Sequence, residues 1–594
     1  MKKFVVFTLF GILIMAFSGM AYAQKLEFRA SGAIDFDTVI AMNVPDYFTQ
    51  VATVHAGHAG IFQTWAIPAF NSLTGRPTNA MNHERSYAYS RGLLKFDAIV
   101  DKNLSGTIYF EMDAFRWGGS AGWADSAKGS LGLGAMGGTL MQGSERNTMG
   151  VWTTDKAAVE VKNVYFDVGI PYFGIPVPMT VRIGAQPFGV RPQICVYSDG
   201  AGITGGIKVD PVTIIPMWAK IAEGLDWAAD DADLYGLHVN AKLGTFTVGG
   251  YALYYNMNTY PLAYPTGLSF SAITPWGNSV SASYGLWEAG TQKSNMWWLG
   301  IYADGKAGPV NLNFDFVYDT GKVMQKNMIN SDGTGSTPWF LPIQDVKYEG
   351  WATRLKIDFP WEKFNFGLIG MYATGADANK TSTGGLPGTN VANRQYGFAG
   401  GPGAPTNILT SKVHSYVTPP GSEQAPGAGE SVVMYSCFNA VADGGTGIGN
   451  VSSYFQMSRG GFGGTAFIKG YASAKLAPWY KLTLQGLYIW DTTTHGNTFG
   501  TAVKNPFPGG TFANYSQQLL RDDKDIGFEL DLISEIDIYK NLKGFIGLGY
   551  LWSGKALDVY NGSGANPAVP SVFFGRNYSP DNPWNITTRL LFTF

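Results

Sequence analysis

Along much of this chain apolar and polar residues alternate one for one, the spacing of an extended strand whose two faces meet different surroundings. The stretch from Asp525 to Trp552 shows it well. Ile526, Phe528, Leu530, Leu532, Ile536 and Ile538 alternate with Gly527, Glu529, Asp531, Ile533, Glu535 and Asp537. The tight turn Lys540-Asn541-Leu542 follows, and Ile546, Leu548, Tyr550 and Trp552 line one face of the returning strand. Sealing such carboxylates in a dry core would cost on the order of several kcal/mol each. They call for water, and their neighbours call for something apolar. The final stretch repeats the pattern: Trp584, Ile586, Leu590, Phe592 and Phe594 fall on one side, with Asn585, Thr587, Arg589 and Thr593 on the other.

The same unit of strand, short turn, strand and long polar loop recurs. It predicts strands at 25–38, 85–100, 104–117, 156–170, 176–190, 202–209, 212–222, 233–243, 245–257, 296–306, 308–321, 347–359, 363–375, 465–476, 480–492, 525–538, 543–555 and 584–594. That is eighteen, or sixteen without 202–209 and 212–222, which are short and interrupted by Pro216. An even count places both chain ends on one side of a membrane. Connections alternate in length. Asp101-Lys102-Asn103, Asp210-Pro211, Gly244, Ala307 and Pro360-Trp361-Glu362 are short, whereas 39–84, 118–155, 258–295, 322–346, 376–464, 493–524 and 556–583 are long. The expected fold is therefore all-β: a transmembrane antiparallel β-barrel with short periplasmic turns and long extracellular loops. Segment 376–464, rich in Gly, Pro, Ser, Thr and Asn, is too long for a simple connector and is expected to be a cap, a plug or an interaction surface. Tyr254, Tyr255, Trp297, Trp298, Trp490 and Trp552 are expected to form one aromatic girdle, and Phe359, Trp361, Trp479, Tyr480, Tyr539 and Phe594 the other.

Composition narrows the class. Lys2 and Lys3, the apolar Phe4–Phe17 stretch and Ala21-Tyr22-Ala23 read as a signal peptide over 1–23, leaving a barrel over 24–594. No Cys follows the cleavage site, so a lipid anchor is not expected. Loss of the two lysines takes the formal net charge from −2 to −4, too near neutral for a bulk pull on nucleic acid. After Gln24 no apolar run approaches the ~20 residues of a spanning helix, which excludes an inner-membrane helical protein. Aromatic residues make up 14% and charged residues 14%, against about 25% charged in soluble domains. A secreted β-sandwich array is the competing class, and it has no reason to alternate short and long connections.

The closing strand ending in Phe594 resembles the C-terminal signal of bacterial outer-membrane barrels, which implies recognition by the barrel-assembly machinery. Together with Thr180-Val181-Arg182-Ile183-Gly184-Ala185-Gln186-Pro187-Phe188-Gly189 and Trp298-Leu299-Gly300-Ile301-Tyr302-Ala303-Asp304-Gly305-Lys306-Ala307-Gly308-Pro309-Val310, it gives the chain a resemblance to Gram-negative porins of the deltaproteobacterial general type. The resemblance implies a homotrimer in outer-membrane lipid, passing ions and small polar solutes by passive diffusion. Segment 376–464 is longer than a general porin needs, which keeps a substrate-specific channel constricted by that loop in view. A structural or adhesive barrel with partner-binding loops is a reading of another class.

Alternation assigns a lumen face. Its basic residues are Arg29, Arg91, Lys95, Arg182, Arg354, Lys356, Lys469, Lys475 and Arg589. Its acidic residues are Asp35, Asp37, Asp97, Glu111, Asp113, Asp315, Asp358, Glu529, Asp531, Glu535 and Asp537. Charge around a pore sets ion selectivity, and the slight acidic excess predicts weak cation preference. Any single one of these charges more often just solvates a wet wall. Cys195 and Cys437, placed in the loops 191–201 and 376–464, form a candidate disulfide at even odds with two free thiols. Asp226 to Asp233 reads as a solvated acidic loop, and His55 with His58 lacks a third ligand, so no metal and no cofactor is expected. No G-x-S-x-G, P-loop or H-E-x-x-H occurs, and an enzyme is not expected.

Overall fold

The computed structural model describes residues 26–44, 83–117, 148–149, 159–170, 177–223, 231–258, 269–273, 279–283, 292–325, 346–377, 412–419, 427, 429–435, 462–500, 502–506, 521–561 and 576–594. The signal segment 1–23, His55, His58, Asp226 and Cys437 lie outside the described residues, as does most of 376–464. So does the side chain of Asp113, although its backbone is described.

Eighteen strands run up and down in chain order. They are β1 (Glu27–Val44), β2 (His83–Asp101), β3 (Leu104–Trp117), β4 (Glu160–Ile170), β5 (Met179–Val190), β6 (Val196–Val209), β7 (Val212–Ala222), β8 (Ala232–Leu243) and β9 (Phe246–Met257). The second half comprises β10 (Gln292–Ala307), β11 (Val310–Gln325), β12 (Val346–Trp361), β13 (Phe364–Ala373), β14 (Thr465–Ala477), β15 (Tyr480–Asp491), β16 (Asp525–Tyr539), β17 (Leu542–Ser553) and β18 (Trp584–Thr593). Each pairs antiparallel with its neighbours, and β1 pairs with β18 from Ala33↔Thr593 to Met42↔Trp584, so the sheet closes on itself. Closure joins the first strand to the last, so the sheet has no terminal edge strand, which a membrane demands of a β-structure.

The two faces separate as the alternation predicts. Phe28, Ile34, Phe36 and Ile40 on β1, Phe528, Leu530 and Leu532 on β16, and Leu590 and Phe592 on β18 are exposed on the outside. A belt of this kind is costly in water and satisfied in lipid. Thr38 and Thr588, the polar intruders on that face, pair their hydroxyls at 2.6 Å across the seam. At the turn end of the seam, Gly32 and Phe594 exchange backbone hydrogen bonds of 2.9 and 3.0 Å. A Cβ at Gly32 would lie 2.5 Å from the Phe594 ring, so the closing contact needs glycine there.

The girdle expectation needs correction. Tyr254 and Trp297 do face outward, stacked at 4.5 Å. Their chain neighbours Tyr255 and Trp298 face inward and are fully buried. Strand period two forces this, because adjacent residues cannot share a face. Ile526 is also inside, because a register shift opposite Ile489 and Trp490 interrupts the alternation.

Candidate channel lumen

The inward face divides by height. Toward the turn end it is charged and partly open. Arg589 of β18 grips Asp35 of β1 at 2.7 and 2.5 Å, with Asp37 at 4.0 Å. Lys95 pairs with Asp97 at 3.1 Å, and Thr107 donates to Asp97 at 2.6 Å. Arg91 pairs with Glu111, which also receives Lys162 at 2.7 Å. Arg182 forks onto Asp167 at 2.7 and 3.0 Å while lying 4.2 Å over the Tyr165 ring. Across the barrel Lys356 pairs with Asp358 at 3.3 Å, Lys481 with Glu535 at 2.5 Å and Lys543 with Asp537 at 3.6 Å. Arg29 sits near the turn end, exposed and held by Glu27 at 2.7 Å.

Toward the loop end the same face is apolar and sealed. Leu253, Tyr255, Met296, Trp298, Tyr348, Phe467, Leu487, Ile489 and Leu551 all point inward with almost no exposure. Two inner pieces cover them.

The first is the tip of the β5–β6 hairpin. β5 pairs with β4 only from Met179 to Ala185, and β6 pairs with β7 only from Ala201 to Val209. Beyond those limits the two strands pair only with each other, up to Val190↔Val196. Gly184 and Gly202 sit opposite each other where the wall pairing stops. Gly184 has φ +131°, and a Cβ on it would lie 2.2 Å from the Val164 carbonyl oxygen. Only glycine accepts both conditions, so these residues set the bend that turns the tip inward. Asp199 ties the tip to β4 through Lys162 and Asn163, each at 2.9 Å. Arg191 ties it to β10 and β11, meeting Asp304 at 2.6 and 3.0 Å and Asp315 at 2.9 Å, with its guanidinium 4.2 Å over the Tyr302 ring. Burial opposes the Arg191 charge, yet Asp315 and Asp304 outweigh it and raise its pKa further above the ordinary value. Cys195, expected in an external loop, is instead buried inside the barrel at this tip, and burial pushes its thiol up to about 12. Its expected partner Cys437 lies outside the described residues.

The second piece comes from the long 376–464 segment. Its Lys412–Val413 pair extends the β12 edge in parallel, and the chain then turns in. Val417 donates its N–H to Asp319 at 2.9 Å and accepts from the Trp298 indole at 2.8 Å. Tyr416 donates its hydroxyl to the Ile194 carbonyl at 2.6 Å, and Gly427 donates to Gln193 at 3.0 Å, so this segment rests on the hairpin tip. Further along, Glu430 enters between Arg354, at 2.8 and 3.1 Å, and Lys469. Burial works against the Glu430 charge, but Lys469 and Arg354 prevail and hold its carboxyl below the usual range. Glu529 accepts from Val433 N–H at 2.6 Å, Met434 N–H at 3.0 Å and Ser431 Oγ at 3.0 Å. Asp531 accepts from Gln485 at 2.8 Å and Val432 N–H at 3.3 Å. Glu529 and Asp531, expected to be met by water, are thus sealed and met by backbone N–H groups of the inner segment.

Among the charges assigned to the lumen, Arg354, Lys469, Asp315, Glu529 and Asp531 therefore anchor inner segments. Asp35, Arg91, Lys95, Glu111, Arg182, Lys356, Asp358, Glu535 and Arg589 lie in the polar half, and Lys475 is exposed at its mouth. Lys162, Arg191, Asp199, Asp304, Asp319 and Glu430 were not anticipated. Lys162 escapes strict alternation because a bulge opposite Tyr109 and Phe110 turns it inward beside Asn163.

No known family profile matches the chain, and no curated protein is similar to it. Solved structures overlap it loosely. Pseudomonas aeruginosa OccK11 (OpdR) is 8% identical with a TM-score of 0.41, covering 96% of both chains. P. aeruginosa OccK8 (OprE) is 8% identical with a TM-score of 0.41, covering 96% of this chain and 98% of that one. The P. aeruginosa outer membrane protein OpdK is 7% identical with a TM-score of 0.39, covering 95% and 99%. Overlap at that level carries no argument, and the barrel stands on its own strand pairing.

Proposed function

We propose that the protein is an outer-membrane porin of a Gram-negative bacterium, a passive channel for ions and small polar solutes. One observation carries this reading: a closed barrel with an apolar outer belt encloses a partly exposed, charged inner wall. The resemblance of its hairpins and closing strand supports reading it as a general porin of the deltaproteobacterial type, assembled as a homotrimer, with the short turns facing the periplasm. Charge along the polar half acts on the solute without covalent chemistry.

A second reading, a substrate-specific channel, is favoured by the inner pieces. They fill the loop-end half of the described lumen and leave solute discrimination to what remains open. Single-channel recording in planar bilayers tests both. A large ohmic conductance supports general diffusion, a small conductance blocked by one solute supports specificity, and silence in intact barrels removes the channel.

A further inference from the structure

We infer that the barrel wall carries a side window between β4 and β7, through which small uncharged amphipathic molecules pass between the bilayer and the lumen. The window begins where the β5–β6 hairpin leaves the wall. Val164 pairs with Ala185, Ala185 with Ala201 and Ala201 with Lys220, so both wall ladders stop on one row of four residues. Below that row the wall runs through all four strands. Above it the two middle strands have turned inward, and β4 and β7 do not pair with each other among the described residues. Three strand spacings then separate the axes of β4 and β7, roughly 14 Å.

The opening is built into the fold. Pro187, just above the row, has no N–H to offer a wall strand. Gln186 is buried and turns its amide onto the Gly202 carbonyl at 2.8 Å, which satisfies backbone at the bend. Higher up, Asp199 reaches β4 through the side chains of Lys162 and Asn163, where a ladder would otherwise run. The surroundings select the solute. Val161 and Val164 on β4 and Ile203 on β6 face outward and are 55%, 47% and 37% exposed, so the row forms a sill in the apolar belt. Ala185 and Ala201 keep that sill low. At its far end Lys220 is held by Asp231 at 2.8 Å and Asp233 at 3.4 Å, where the belt gives way to a polar rim. Bringing a net charge through the belt is costly, so the solute is uncharged with an apolar body. Its path continues into the charged half of the lumen, so it carries a polar end. The inner pieces close the loop-end half of the described lumen, and the window gives the lumen an entrance on its flank.

The window rests on the channel reading only for where the solute goes next. Two measurements on the full chain in liposomes read it without current. The first places a nitroxide on Pro187→Cys, with Cys195→Ala and Cys437→Ser removing the native thiols. It should collide more often with oxygen, which concentrates in the bilayer, than with a water-soluble nickel chelate. The second uses a diazirine-bearing 4-propylphenol, which on illumination should label the inturned hairpin within 186–200. Combined Ala185→Trp and Ala201→Trp raise the sill from the lipid side and should abolish that labelling. Leu299→Trp, on the outer face of β10, should leave it intact. Heat-modifiable gel mobility establishes that each variant is an intact barrel. A nitroxide that oxygen does not reach in preference to nickel, labelling confined to the outer belt, or labelling unchanged in the double tryptophan variant overturns the inference. A protein that gives both expected results but never conducts loses the channel and keeps the window.

Discussion

Glu430 shows how one side chain can hold a long segment in place. Its carboxylate is the counter-charge for two buried cations, Arg354 and Lys469, that the wall presents inward. Replacing one member of a buried charge set costs about 3–5 kcal/mol, because its partners stay buried and unpaired. Glu430→Gln should therefore release the segment, raising single-channel conductance and exposing it to protease. The clamp also titrates. The Glu430 pKa is lower in the folded state than the ordinary 4.5, so its contribution is complete above pH 4.5 and fades as pH falls through the lowered value. Wild-type conductance should change as pH falls below that limit, and the Glu430→Gln channel should lack this acid transition.

At the scale of elements, the β5–β6 hairpin decides the shape of the lumen, and glycine decides the hairpin. Gly184→Val adds a Cβ against a wall carbonyl and an unfavourable φ, a strain of about 1–3 kcal/mol. The variant should loosen the inturned tip, seen as faster alkylation of Cys195 than in the wild type. Strands were legible in the sequence because period-two alternation is a local property: β3 and β7 fall where it places them, and β16 and β17 to within a residue or two. What was not legible is non-local. Val190, Ile194, Cys195 and Val196 form an apolar cluster that fits a connector poorly, and this was the available sign that the tip is interior. Trp298 beside Trp297 gave the same sign, since one of two adjacent tryptophans must face in. The partners of Glu430 lie 76 and 39 residues away, beyond the reach of spacing arguments.

For the whole molecule, the two halves of the lumen have different physics. The loop-end half is a protein core built inside a barrel, so shortening 427–435 should lower the heat-modification temperature as well as widen the passage, because it leaves Leu551, Leu487 and Phe467 wet. The turn-end half is lined by paired charges of both signs, which mute its field. Reversal potentials across a salt gradient should show weak cation preference. Clear anion preference would contradict this.

The shortened pairing at β5 has a consequence for the surroundings. Only seven residues of β5, Met179 to Ala185, are bonded to β4, whereas β10 and β11 share an unbroken ladder from Gln292↔Gln325 to Ala307↔Val310. Seven residues span roughly 23 Å along a strand and, at barrel tilt, about 17 Å of height, less than the ~25 Å apolar band. The acyl chains beside β5 are expected to shorten toward that height, and bilayer thickness measured around the reconstituted protein should show a local dent on that flank and none beside β10 and β11.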